Sequence, residues 1–361
     1  MRRESRHHRA RARQAPSLLP SRPVSAAGPS PVPLLELRGI SKQFSSRLDI
    51  AARIAARLGA GAGPQTVHAL DGVDLSVGAG EVVGLVGESG CGKSTLGRIV
   101  ARILEPSRGE RRWKDRPYSD YESPASRAER LAVQMVFQDP FASLNPRMRI
   151  VDVIGEAPVV HGLVPARERD RYVAEVMERV GLDASLAKRF PHQFSGGQRS
   201  RIGIARALAV NPRFLVCDEA VAALDVSIQA QVLNLFIRLR EEFGLTYLFI
   251  SHDLGVVRHL SDRVVIMYLG RIVESADSQE VFARPNHPYT QALLAEIPRL
   301  EATKRAYIPI KGEIPSPLAP PGGCHFHPRC PHAMPRCQAE APRLREIAPG
   351  HLSACHLNDT P

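Results

Sequence analysis

Apolar and polar positions first alternate in LLELRGISKQF, residues 34–44, which predicts a strand and a turn. VHALDGVDLSV (67–77) and EVVGLV (81–86) predict two further strands. KSTLGRIVARILEP (93–106) reads as a helix stopped by Pro106, and LAVQMVF (131–137) as a strand. Residues 139–190 read as mostly helical and carry many charges, and RFLVCDE (213–219) is a short buried strand. In QAQVLNLFIRLREEFG (229–244), Val232, Leu235, Phe236 and Leu239 recur at i, i+3, i+4 and i+7, the stripe of an amphipathic helix. LTYLFISH (245–252) and RVVIMYLGRIVE (263–274) return to strand. Strands alternating with helices predict an α/β fold whose mainly parallel sheet is covered on both faces.

The pattern fails in three places. Residues 1–33 hold no aromatic residue and read as a disordered Arg/Pro-rich leader. Residues 45–66 read as a small insertion with one short helix ended by glycine. From Ala276 onward the chain is rich in Pro, His and Cys and weak in periodicity, so 276–361 reads as a separate appendage to a main domain over 34–275. Within that domain a helical subdomain is expected at about 139–205.

Composition adds little until charge is counted. The chain has 361 residues, 43% hydrophobic and 24% charged, which is ordinary for a globular protein of two or three domains. The formal net charge of +11 raises nucleic acid, anionic lipid or nucleotide as a partner. Seven arginines and one acid lie in residues 1–33, so more than half of the excess belongs to the leader. No run approaches the length of about 18 apolar residues that a membrane-spanning helix needs, and no secretory signal opens the chain. A cytosolic setting is therefore expected, with any membrane served from its surface through a partner.

The chemistry begins in GLVGESGCGKST. Gly87 to Ser94 fit G-x-x-x-x-G-K-[ST] between a strand and a helix. Glycines allow a tight loop whose backbone N–H groups cradle phosphates, and the following helix adds its positive end. Gly87, Glu88, Ser89, Gly90, Cys91, Gly92, Lys93, Ser94 and Thr95 are the candidate nucleotide-binding residues. Lys93 would reach the β and γ phosphates and Ser94 would hold Mg²⁺. The alternative is a glycine-rich turn without a ligand. In FLVCDE two acids end an apolar strand, at the edge where open α/β sheets bind ligands. Asp218 would hold the magnesium, and Glu219 would act as general base toward water. The alternative is a pair of surface acids.

Further segments carry a resemblance to ATP-binding-cassette (ABC) proteins. FSGGQ, with Ser195, Gly196, Gly197 and Gln198, resembles the family signature. Gln138 in VFQDP resembles the glutamine loop, Leu224-Asp225 the end of the loop after the catalytic glutamate, and His252 in LFISHD the switch histidine. The resemblance covers about residues 34–275, with all elements in family order. It implies a RecA-like core with a helical subdomain and an antiparallel β subdomain. It also implies ATP sandwiched between two such domains, one supplying the phosphate loop and the other the signature. Gln138 would join Ser94 and Asp218 at magnesium, Asp225 would belong to the loop that follows the catalytic glutamate, and His252 would contact the γ-phosphate. An aromatic residue upstream of the loop usually stacks on adenine. Phe44 is the candidate, with core packing as the alternative. Two positions depart from the family pattern: Phe194 opens the signature where Leu is commoner, and Ala222 stands where Ser is usual.

QDPFASLNPRM (138–148), HPYTQALL (287–294) and KGEIPSP (311–317) resemble the ATPase subunits of bacterial dipeptide and oligopeptide importers. That branch implies a second, non-identical ATPase subunit, two membrane-spanning permease subunits and an external substrate-binding protein. It implies a peripheral place on the cytoplasmic face of the membrane and no nucleic-acid partner. It leaves cargo open among dipeptides, longer peptides, glutathione and nickel chelates. The rival class is a soluble ABC ATPase acting on nucleic acid or the ribosome, favoured only by the basic leader. A pseudo-ATPase scaffold is disfavoured by intact Lys93, Asp218 and Glu219.

Four of the six cysteines, Cys324, Cys330, Cys337 and Cys355, are spaced C-x5-C-x6-C-x17-C. Such a set in a cytosolic chain points to metal rather than disulfides. Structural zinc sites usually pair ligands two to four residues apart, and the wider gaps here suit a larger thiolate-bound group. The importer resemblance implies a [4Fe–4S] cluster on these four residues. Zinc, with His325, His327 or His332 as added ligands, and four free thiols remain the alternatives.

Overall fold

The computed structural model describes residues 32–45, 65–296 and 312–359. The leader through residue 31, the expected helix of the 45–66 insertion and the stretch 297–311 lie outside the described residues.

Strands β1 (Leu35–Ser45) and β2 (Thr66–Val77) pair antiparallel. Strand β4 (Arg108–Trp113) flanks β1 and carries the short β5 (Arg116–Pro117), giving the order β2-β1-β4-β5. Leu35, Leu37 and Ile40 of β1 are buried. The step from two residues to three occurs at Gly39, whose φ of 58° accompanies a register shift. This bulge keeps Ile40 on the inner face.

The second sheet runs β11-β12-β10-β9-β3-β8-β7-β6. Strands β3 (Val82–Val86), β7 (Phe214–Asp218) and β8 (Thr246–Ile250) are buried at every residue, as a parallel sheet covered on both faces requires. They join β6 (Val133–Val136) and β9 (Arg263–Tyr268) in parallel register. Helix α1 (Lys93–Val100) follows β3, and α2 (Arg127–Leu131) precedes β6. Helices α3 (Ile150–Val160), α4 (Arg169–Arg179) and α5 (Gly196–Leu208) form the expected helical part. Helix α6 (Val226–Phe243) buries Val232, Leu235, Phe236 and Leu239 as its periodicity predicts, and Gly244 at φ 61° ends it. Helix α7 (Leu254–Leu260) follows β8.

Four expectations need correction. The helix at 93–106 ends at Val100, because Arg102 takes a left-handed φ of 62° before Pro106 can act. RVVIMYLGRIVE is two strands, β9 and an antiparallel β10 (Arg271–Asp277). Leu269 and Gly270, both at positive φ, make the two-residue turn between them. Residues 139–190 contain α3 and α4 but otherwise short 3₁₀ turns and loops. The tail is also not separate from the main sheet. After α8 (Ser278–Ala283), α9 (Pro288–Ala295) and α10 (Pro335–Ala339), strands β11 (Arg345–Ala348) and β12 (His351–Ser353) extend the main sheet beyond β10. The Glu274 carboxylate, fully buried in β10, accepts the N–H groups of Asn286 and His287 at 2.8 Å and meets His351 Nε2 at 2.7 Å. Polar pairing and strands of three and four residues join this region, which is why apolar periodicity did not reveal it.

Candidate nucleotide-binding site

The carboxyl ends of the parallel strands converge on one cleft. The glycine loop leaves β3, Asp218 ends β7, His252 follows β8 and Gln138 follows β6. The cleft has a volume of about 560 Å³, within the span of roughly 300–1,000 Å³ usual for small-ligand sites. Two glycines are steric necessities of the phosphate loop. A side chain at Gly87 would collide with the Met267 carbonyl, and one at Gly92, where φ is 109°, would lie 2.5 Å from the Ala69 carbonyl oxygen. The first-turn amides of α1 lack intrahelical acceptors.

Lys93 is 4% exposed, and its Nζ donates to the carbonyls of Gly87 at 2.7 Å and Glu88 at 2.9 Å. Ser94 Oγ donates to Asp218 Oδ1 at 2.8 Å. Burial pushes the Asp218 carboxyl above its usual range, and the Ser94 bond opposes that shift. This hydroxyl–carboxylate pair, with the Gln138 amide near it, is an all-oxygen donor set of the kind Mg²⁺ accepts. Glu219 has a φ of 46°, a strain of about 1 kcal/mol or more for a non-glycine residue. Its carboxylate accepts a bond from Gln138 Nε2 at 2.7 Å and stands 3.4 Å from His252 Nδ1. A base held by an amide on one side and an imidazole on the other is suited to orienting water.

Phe44 lines the cleft and is 42% exposed, so it does not pack in the core; the Lys42 ammonium lies 5.3 Å from its ring centre. Ser89, Gly90 and Thr95 also line the cleft, whereas Cys91 is buried behind the loop, and burial raises its thiol pKa. Sequence reasoning missed Val67, Ala69 and Pro317 among the lining residues. The first two are ordinary strand positions without a chemical signal. Pro317 arrives from the tail, where its carbonyl accepts the His68 N–H at 2.9 Å.

The signature lies elsewhere on the surface. Ser195 caps α5: its Oγ accepts the Gln198 N–H at 3.3 Å, and Gln198 Oε1 accepts the Ser195 N–H at 3.0 Å. Gly196 and Gly197 form the first turn, and a side chain at Gly197 would come within 2.5 Å of Ile228. Asp225 occupies the N-cap position of α6. None of these residues lines the cleft. Phe194 is buried, which accounts for an aromatic residue in that apolar slot. The Arg199 guanidinium lies 3.7 Å from the ring centre of Phe141, and Arg206 donates to the Ser143 carbonyl at 2.5 Å. The signature helix thus grips the segment that begins at Gln138.

Cys324, Cys330, Cys337 and Cys355 line one small cavity with His327, His332 and other residues. Burial raises the thiol pKa values of Cys324 and Cys330 and pushes Cys355 up to about 11. His325 does not line the cavity, since its Nδ1 contacts the Leu269 carbonyl at 2.9 Å. Among the described residues no three His, Cys, Asp or Glu side chains are arranged to hold a metal ion. Neither zinc nor a cluster therefore has a ligand set arranged among the described residues, and what the four cysteines share is one small cavity.

A phosphate loop, a strand-end acid pair and a signature-bearing helix on this sheet define an ABC-type ATPase. Residues 70–222 match the ABC transporter family, and residues 273–337 match the family described as "Oligopeptide/dipeptide transporter, C-terminal region". The oligopeptide transport ATP-binding protein AppF of Bacillus subtilis is 51% identical over 328 residues, 90% of this chain and 97% of its own. The dipeptide transport ATP-binding protein DppF of Haemophilus influenzae is 46% identical over 324 residues, 90% of this chain and 96% of its own. Among solved structures, a dimeric ATP-binding cassette in a post-hydrolysis state bound to ADP and Pi aligns with TM-score 0.56 and 26% identity, over 68% of this chain and 98% of that one. A subunit of an ABC transporter complex from Clostridium perfringens aligns with TM-score 0.56 and 28% identity, over 70% and 92% of the two chains. The chain belongs to the ATP-binding proteins of the oligopeptide/dipeptide ABC transporters, and its activity is ATP hydrolysis.

Proposed function

We propose that this chain is the subunit that powers peptide import, hydrolysing ATP from the cytoplasmic face of the membrane. The observation that carries the reading is the meeting of Lys93, the Ser94–Asp218 pair and the Gln138–Glu219–His252 chain in one cleft. The match of the C-terminal region to the peptide-transporter family supports the cargo class. In this reading Lys93 and the loop amides bind the β and γ phosphates, and Phe44 stacks on adenine. Ser94, Asp218 and Gln138 would hold Mg²⁺, which supplies charge neutralisation on the phosphates. Glu219 takes a proton from water that His252 and Gln138 help orient. Ser195, Gly196 and Gly197 present a helix N-terminus to ATP held by a second, non-identical ATPase subunit, which returns the same service. Two permease subunits seat on the surface beside Gln138, where exposed Phe141 is tied to α5, and an external binding protein delivers cargo.

The four cysteines would hold a [4Fe–4S] cluster, a reading supported by the importer resemblance and by the one cavity that all four line. Chain purified without oxygen should then contain about four irons and four sulfides. Iron-free protein that folds normally would remove the cluster from this reading and leave the ATPase intact. The function itself is tested in proteoliposomes holding the whole transporter. Uptake of a labelled di- or oligopeptide should require ATP and cease in Glu219→Gln. Uptake of glutathione or nickel chelate instead would replace the peptide cargo. Stimulation of ATP hydrolysis by nucleic acid, without membrane partners, would favour the rival class.

A further inference from the structure

The ATP site has a support that lies outside the cassette motifs. Every polar group of Glu88, in the phosphate loop, is engaged. Its carboxylate receives both arms of the Arg329 guanidinium, at 2.7 and 2.9 Å. Its N–H donates to the Tyr289 hydroxyl at 2.9 Å, and its carbonyl accepts the Lys93 ammonium at 2.9 Å. Two of these partners come from the C-terminal region, more than two hundred positions away in the chain. The third is the lysine that meets phosphate.

Arg329 is not a chance surface partner. Its side chain is 6% exposed and also contacts the Tyr268 hydroxyl at 3.4 Å. Tyr268, Tyr289 and Phe326 pack against one another with ring centres 4.7–5.4 Å apart, so the guanidinium rests on a rigid aromatic base. The next residue, Cys330, lines the cysteine cavity and packs on the same apolar cluster. Forked guanidinium–carboxylate pairing fixes direction as well as distance, and in a buried setting it is screened little by salt.

We infer that Arg329 is a positioning residue of the ATP site: through Glu88 it sets the loop and Lys93 in the geometry that receives phosphate. This rests on the ATPase reading and extends it to the C-terminal region. Arg329 itself does not line the cleft, and it acts through Glu88.

The test uses the full-length chain with its C-terminal region intact, alone for binding and assembled with its partner subunits for hydrolysis. Binding of a fluorescent N-methylanthraniloyl ATP and the KM and kcat of hydrolysis are measured for Arg329→Met, Arg329→Lys, Glu88→Gln and the Arg329→Met/Glu88→Gln pair. Arg329→Met should weaken ATP about tenfold, the lower end of what losing an outer orienting partner costs at metal sites, with KM raised more than kcat falls. Arg329→Lys should recover part of the loss, since it keeps charge but not the fork. Glu88→Gln is nearly isosteric and should reproduce the loss, and the pair should be no worse than either single change. Should Glu88→Gln and Arg329→Met lower only thermal stability and leave ATP affinity and KM unchanged, the inference fails. Additive losses in the pair would equally overturn it. A wild-type chain that binds no ATP analogue would sink the ATPase reading itself.

Discussion

At the scale of single residues, the cleft is built from side chains that hold one another. Glu219 is aimed by a strained backbone and by two neighbours, Gln138 and His252. Replacing it with Gln should lower hydrolysis by about 10²–10⁴ fold, the usual contribution of a general base, while ATP binding persists. Single-turnover assays with equilibrium binding separate the two effects. His252→Ala should also slow hydrolysis, and less so if Gln138 continues to orient Glu219. The placement of Lys93, Ser94, Asp218, Glu219 and His252 was legible from motif and resemblance: Lys93 and Ser94 open α1 after the glycine loop, Asp218 ends β7 with Glu219 next to it, and His252, named from the family resemblance, follows β8. Pro317 and Arg329 were not, since each reaches the site through tertiary contacts that no local pattern encodes.

At the scale of elements, two helices show what periodicity and capping can and cannot do. Helix α6 was readable from its stripe, and Phe236 packs edge-on against Tyr247 and Phe249, each at 5.7 Å. Phe236→Ala should therefore cost about 3–5 kcal/mol in denaturant unfolding, because the ring leaves a cavity between helix and sheet. Helix α5 depends on the reciprocal bonds of Ser195 and Gln198. Ser195→Ala should cost about 1 kcal/mol of stability. It should also depress hydrolysis in the assembled pair while leaving ATP binding to its own cleft unchanged, because the signature does not line that cleft. The β9–β10 hairpin escaped notice because its turn is only Leu269-Gly270, inside a largely apolar run that Arg271 alone interrupts.

At the scale of the molecule, the C-terminal region is part of the same sheet and of the same site. The buried Glu274 carboxylate joins β10 to the His287 turn and to β12. His351→Leu should leave that carboxylate short of a partner and destabilise the fold by about 3 kcal/mol. Thermal unfolding and faster protease cleavage of the C-terminal region would record it, and unchanged resistance would show that His351 does not anchor β12. The sequence by itself determined the local features: alternating strands, the helical stripe of α6, the glycine loop and the acids at a strand end. These follow from sterics and solvation over a few residues. Only the tertiary structure decided that β11 and β12 extend the main sheet, that Pro317 reaches the cleft and that Arg329 grips Glu88. Such contacts join residues far apart in the chain, and they form only when strand order and buried polar pairing bring them within hydrogen-bonding distance.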